Sequence, residues 1–224
     1  DPEWDGEPVE PEPSEPIVPR PYQPRSERPP KPDVIKIKLS DGKERSIQHM
    51  VQTLFYGSDG KPMTSSEFIQ SIFGMTPSLF KNEENLREIW SNPETRRKLM
   101  VQLSEAGFTK EHIEQAKKLI SAERSDVYDV LSYIAYATPV STREERALMA
   151  ANMLIDEFEE DEKLFLKFVL GEYVDHGEEE LDVSKLPELL QLKYGGMNEA
   201  VDIFGGAAKI NQMFVGFQKL LYAN

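Results

Sequence analysis

Leu86-Arg87-Glu88-Ile89-Trp90-Ser91-Asn92-Pro93-Glu94-Thr95-Arg96-Arg97-Lys98-Leu99 holds the end of one helix and the start of another. The first helix stops at Trp90 and Ser91. Asn92 supplies a side-chain oxygen that caps the next helix, and Pro93 takes its first position, where a missing N–H costs nothing. Two helices set end to end in this way predict a helical body.

The pattern continues toward the C-terminus. Thr64-Ser65-Ser66-Glu67 is a capping box that opens a helix over Phe68–Phe73, with Gly74 as its stop. Further helices are expected over 83–90, 93–106, 110–122 and 127–137, then 143–159, 161–174, 184–194, 197–204 and 207–222. Thr142-Arg143-Glu144-Glu145 forms a second capping box, and Gly107 a left-handed cap. The helix over 127–137 is apolar nearly all round, which predicts a central, buried position. The last helix carries Ile210, Met213, Phe214, Phe217, Leu220 and Leu221 at three- and four-residue spacing. That stripe either packs into the domain's own core or docks another subunit. As a docking face its residues are Ile210, Met213, Phe214, Phe217 and Leu221.

Toward the N-terminus the period changes. Val34, Ile35, Ile37 and Leu39 alternate roughly with Lys36, Lys38 and Ser40, and Asp41-Gly42 reads as a tight turn. The return strand is expected from Glu44 through Phe55, closed by a loop over 57–62. An isolated hairpin is marginal in water, so it must lean on the helices or on another part of a parent chain. Residues 1–33 hold 11 of the 16 prolines and nine acidic side chains. Such a segment buries too little apolar surface to offset its chain entropy, and it reads as a disordered or extended tether. Pro13-Ser14-Glu15-Pro16 and Pro16-Ile17-Val18-Pro19 match a proline-rich ligand only loosely. The expected architecture is therefore mainly α: a Pro-rich linker over 1–33, a hairpin and loop over 34–62, and nine to ten helices over 64–224.

Composition narrows the function. Without the first 33 residues, about 190 of the 224 remain, enough to bury roughly 70% of the unfolded surface without staples. The lack of cysteine removes disulfides and thiolate zinc sites and fits a reducing compartment. No apolar run reaches the ~20 residues that span a bilayer. The acidic, proline-rich opening is not a signal peptide. Because the chain starts at Asp1, it reads as a piece of a longer protein. A net charge of −14 argues against a broad electrostatic grip on nucleic acid, though not against a local basic stripe.

Candidate chemistry is sparse. Pro32-Asp33 followed by Asp41-Gly42-Lys43 has the form of a magnesium nuclease motif, but its lysine falls in a turn instead of mid-strand. Gly57-Ser58-Asp59-Gly60-Lys61 lacks the spacing of a phosphate loop, and Pro62 follows the lysine. His49, His112 and His176 form no ligand pair by spacing, and no nucleophile elbow is present. No catalytic, cofactor-binding or metal residue is assigned. The candidate DNA contacts are Lys36, Lys38, Lys43 and Arg45 on the hairpin and Arg96, Arg97 and Lys98 on a helix. The same hairpin lysines also suit a solvated edge that deters strand aggregation.

Several ordered tags resemble the C-terminal domain of type I restriction enzyme R subunits, in the EcoEI-like branch. They are Asp41-Gly42-Lys43, His49-Met50-Val51-Gln52-Thr53, Ser58-Asp59-Gly60-Lys61-Pro62 and the Leu86–Leu99 run. Leu103-Ser104-Glu105-Ala106-Gly107-Phe108, Asp126-Val127-Tyr128-Asp129-Val130-Leu131, Ala135-Tyr136-Ala137 and Thr142-Arg143-Glu144-Glu145-Arg146-Ala147 follow. Leu186-Pro187-Glu188-Leu189-Leu190, Lys193-Tyr194-Gly195 and Phe214-Val215-Gly216-Phe217-Gln218 close the series. The resemblance implies a cytoplasmic parent with a nuclease domain and an ATP-driven DNA translocase that uses ATP and magnesium. It also implies that this stretch, itself without cofactor or catalytic motif, joins the motor to a methyltransferase core of modification and specificity subunits. Other domains of the same R subunit are then partners too, and a membrane is not. The alternative is direct contact with translocating DNA through the basic hairpin.

Overall fold

The computed structural model describes residues 33–49, 55–56 and 61–223, the side chain of Asp156 excepted. Of the tether expected over 1–33, residues 1–32 lie outside the described residues, as do residues 57–60 of the loop expected over 57–62. The strands are β1 (Val34–Lys38), β2 (Glu44–Gln48), β3 (Phe55–Tyr56) and β4 (Pro62–Met63). The helices are α1 (Ser65–Leu79), α2 (Glu83–Trp90), α3 (Pro93–Glu105), α4 (Lys110–Leu119) and α5 (Val127–Tyr136), then α6 (Arg143–Glu157), α7 (Glu160–His176), α8 (Leu186–Tyr194), α9 (Met197–Phe204) and α10 (Ala207–Leu221). Two 3-10 turns, Glu178–Leu181 and Val183–Lys185, join α7 to α8. The fold is mainly α with a small antiparallel hairpin in front, as the sequence indicates.

The Asn92–Pro93 junction forms as its chemistry requires. Asn92 Oδ1 accepts from the N–H of Glu94 at 2.9 Å, and Pro93 stands at the first position of α3. Thr95 Oγ1 donates to Ile89 O at 2.6 Å, tying the start of α3 to the end of α2. Both expected capping boxes are present. Thr64 N–H donates to Glu67 and Glu67 N–H to Thr64, and Thr142 and Glu145 repeat the exchange. His112 makes a third such box with Thr109.

Four boundaries differ from expectation. α1 does not stop at Gly74 but runs through Pro77 to Leu79. Proline removes one helical donor and leaves the carbonyl four residues back unmet. Here Thr76 Oγ1 donates to that carbonyl, Phe73 O, at 2.8 Å, so the helix carries the proline. The return strand ends at Gln48, short of Phe55. Phe55 instead pairs with Met63 in a second two-residue ladder and stacks on Phe68 with centroids 4.7 Å apart. α4 ends at Leu119, where Ser121 turns left-handed at φ 58°. The start of the helix expected at 184 is a 3-10 turn.

The core gathers Phe68, Ile72, Leu86, Trp90, Leu131, Ile134, Phe165, Val169, Phe214 and Phe217. α5 is buried on nearly all sides, as its composition requires. α10 packs on α6, α7 and α9. Its apolar stripe, Ile210, Met213, Phe214, Phe217 and Leu221, faces inward and is buried. Of the two readings of that stripe, the structure therefore shows core packing. The five side chains offered as a docking face are spent on the domain's own interior. Phe217→Ala should accordingly destabilise the isolated domain by about 3–5 kcal/mol in urea denaturation. A loss under about 1 kcal/mol would return the stripe to the surface.

Candidate functional site

Two of the seven cations offered for DNA are interior. Arg45 is 0% exposed. Its Nε donates to Tyr133 O at 2.8 Å, and its Nη2 to Ile134 O and to Asp41 Oδ2, each at 2.9 Å. Those carbonyls belong to the last turn of α5, where among the described residues only Tyr133 O has a backbone donor, the N–H of the cap residue Ala137. Lys43 Nζ joins them with a bond to Tyr136 O at 3.2 Å. The expected phosphate contacts are thus a cationic cap on a helix C-terminus, where positive charge is favourable. Arg96, 6% exposed, donates to Trp90 O at 3.1 Å, Gln218 Oε1 at 3.0 Å and Leu181 O at 3.0 Å. It locks α2, α10 and the first 3-10 turn together.

The other five lie at the surface. Arg97 grips both oxygens of Asp182 at 2.6 and 2.7 Å. Burial alone would raise the Asp182 carboxyl, but the bonds from Arg97 and Ser184 pull it down to about 2. Lys36 lies 3.5 Å from Glu44 in an exposed pair. Lys38 and Lys98 are exposed. Asp41, the acid of the nuclease-like motif, accepts from Lys43 N–H at 2.9 Å and pairs with Arg45. Among the described residues no cluster of three or more His, Asp or Glu side chains is placed to hold a metal ion. No helix among them is long and apolar enough to cross a membrane.

The densest ionisable cluster was not among the expected sites. At the N-terminal end of α5, Asp126 Oδ2 accepts from Tyr173 Oη at 2.6 Å and from Tyr222 Oη at 2.7 Å. One turn on, Asp129 Oδ1 accepts from Arg146 Nη2 at 2.5 Å and from Ser141 N at 3.3 Å. The Arg146 guanidinium also lies over the rings of Tyr128 and Tyr222, 5.2 and 4.8 Å from their centroids. Burial pushes the Asp129 carboxyl up to about 6 against the pull of Arg146. Burial, and then the Asp126 charge, also raises Glu178, whose Oε1 accepts from Val127 N–H at 3.4 Å. Both phenols are pushed up by burial, so they stay protonated and donate. The cluster joins α5, α6, α7 and α10. The one hint of it in the sequence was the tag Asp126–Leu131, where two acids flank an otherwise apolar run.

Beside this cluster opens a cleft of ≈ 420 Å³ with Trp90, Met100, Ile113 and Val127 in its wall. The pairs Arg97–Asp182 and Lys110–Glu179 stand at its rim. The Trp90 indole N–H is buried without a hydrogen-bond partner.

The family described as EcoEI R protein C-terminal matches residues 66–222. The chain belongs to this family. The match spans α1 through α10, and the hairpin lies in front of it. No curated protein and no solved structure matches the chain. The domain is accordingly a C-terminal part of a type I restriction enzyme R subunit, and the buried cluster and the cleft both lie inside the matched region.

The raised Asp129 carboxyl gives a test of the cluster. In the folded domain it takes its proton near pH 6, against an ordinary value of 3.8, so folding takes up a proton between the two. The cost of burying the charge is fully present above pH 6 and fades as pH falls through that value. The parent domain should therefore gain stability relative to Asp129→Asn as pH falls from about 7 to about 5. Urea midpoints of the two proteins that stay parallel over that range would contradict the assignment.

Proposed function

We propose that this domain is the assembly module of an R subunit, docking an ATP-dependent DNA translocase and endonuclease onto its methyltransferase core. The family match across 66–222 carries the reading. The parent would act in the cytoplasm, with ATP and magnesium used by its other domains. This stretch contributes contacts instead of chemistry. In support, two of the seven cations expected as nucleic-acid contacts, Arg45 and Arg96, are spent inside the fold on backbone carbonyls. The net charge of −14 also favours protein partners over duplex DNA.

Size-exclusion chromatography with light scattering tests this on the domain mixed with its cognate modification and specificity subunits. Co-elution in the absence of DNA is the expected result. Co-elution only with duplex present, lost steeply with salt, would instead favour the DNA-contacting alternative. No complex under either condition would move the docking function elsewhere in the R subunit.

A further inference from the structure

The two edges of the front hairpin differ. β1 and β2 pair with Ile35 opposite Ile47 and Ile37 opposite Arg45. The bonds Leu39 N to Lys43 O (3.2 Å) and His49 N to Asp33 O (2.6 Å) fix which pairs exchange ladder bonds. By two-residue alternation those are the pairs of Asp33, Ile35, Ile37 and Leu39. The N–H and C=O of Val34, Lys36 and Lys38 therefore point away from β2, as do those of Ser46 on the other strand.

The outer edge of β2 is covered at its middle residue. Tyr133 Oη accepts from Ser46 N–H at 2.7 Å and donates to Ser46 O at 3.0 Å. Gln48 Nε2 bonds to Ser121 Oγ at 2.6 Å. Among the described residues nothing comparable covers the outer edge of β1, and the outward backbone groups of Val34, Lys36 and Lys38 have no partner there. Val34 and Ile35 there are 61% and 37% exposed. An open edge with unmet donors and acceptors is a template for one more strand.

We infer that the β1 edge receives an extended, acidic strand from a protein partner. Charge decides the occupant. Val34, Lys36 and Lys38 share one strand face, so an added strand with acids opposite the two lysines gains favourable cross-strand pairs. A second copy of this chain would set lysines against lysines, which opposes self-pairing. The Lys36–Glu44 pair is 71% and 63% exposed, so it yields readily to a better-placed acid. Residues 1–33 are acidic but carry 11 prolines, which remove the donors a ladder needs. The inference does not depend on the assembly reading, because it specifies what the edge accepts whichever protein supplies the strand.

The test uses the whole chain and a capped peptide of about six alternating valine and glutamate residues. Amide exchange is followed by NMR. Exchange at Val34, Lys36 and Lys38 should slow by about tenfold or more on adding the peptide, with Ile35 and Ile37 unchanged. The valine–lysine analogue should give no protection. Lys36→Pro should abolish the effect with the hairpin intact, because the Lys36 N–H makes no ladder bond. Lys36→Glu/Lys38→Glu should reverse the preference to the lysine peptide. Equal protection by both peptides, none by either, or an undiminished effect in Lys36→Pro would overturn the inference. So would a short DNA duplex that shifts the Lys36 and Lys38 side chains while the acidic peptide leaves the amides untouched.

Discussion

α5 lies inside the protein along almost its whole length, so its N-terminal end is buried and its C-terminal end is largely shielded from water. Buried helix ends expose N–H and C=O groups that cost about 1–3 kcal/mol each if left unmet. The chain meets them from far away in sequence. At the C-terminal end, Arg45 and Lys43 on the hairpin supply the donors, 88 and 93 residues from the carbonyls they reach. Close by, the left-handed Ala137 donates to Tyr133 O at 2.9 Å. At the N-terminal end, the Asp129 side chain accepts from Asp126 N–H at 3.2 Å, and Glu178 accepts from Val127 N–H. Arg146 from α6 then balances the charge of Asp129.

These demands organise the neighbours. The hairpin has a fixed seat because Arg45 must enter the body, and Tyr133 fastens its second strand from outside. Tyr173 and Tyr222 bring α7 and the C-terminal end of α10 to the same carboxylate, Asp126. Trp90, Tyr128 and Tyr222 pack ring against ring at 5.4 to 6.4 Å, joining α2 to this cluster. Arg96 and Gln218 form a second node, where Gln218 donates to Leu181 O at 2.9 Å and Arg96 reaches the same carbonyl. A hairpin that would be marginal alone thus becomes part of the fold through the buried Arg45, the Tyr133–Ser46 bonds and the core packing of Ile37, Leu39 and Ile47.

Local rules were readable from the sequence and long-range ones were not. Asn92-Pro93, Thr64–Glu67 and Thr142–Glu145 act within one turn, so their caps form as the residues require. The all-round apolar face of α5 likewise fixed its burial. The apolar stripe of α10 has the same spacing whether it faces a core or a partner, and only the packed structure separates the two. Gly74 and Pro77 are breakers by type, yet Thr76 repairs the missing bond and packing carries α1 onward. Arg45 and Arg96 read as surface cations because their acceptors are backbone carbonyls, to which any residue type contributes. The Asp126 cluster was hidden for a similar reason, since its tyrosines lie 47 and 96 residues away.

The charged interior of this domain serves cohesion. α5 should be the most secure element, because its ends are held by charged side chains from other elements. Native-state hydrogen exchange on the wild type and on Arg45→Met measures this directly. The account predicts that α5 amides exchange only through global unfolding, and that Arg45→Met opens the last turn of α5 together with the hairpin. Exchange of α5 through local opening in the wild type, or an Arg45→Met profile unchanged at both places, would contradict it.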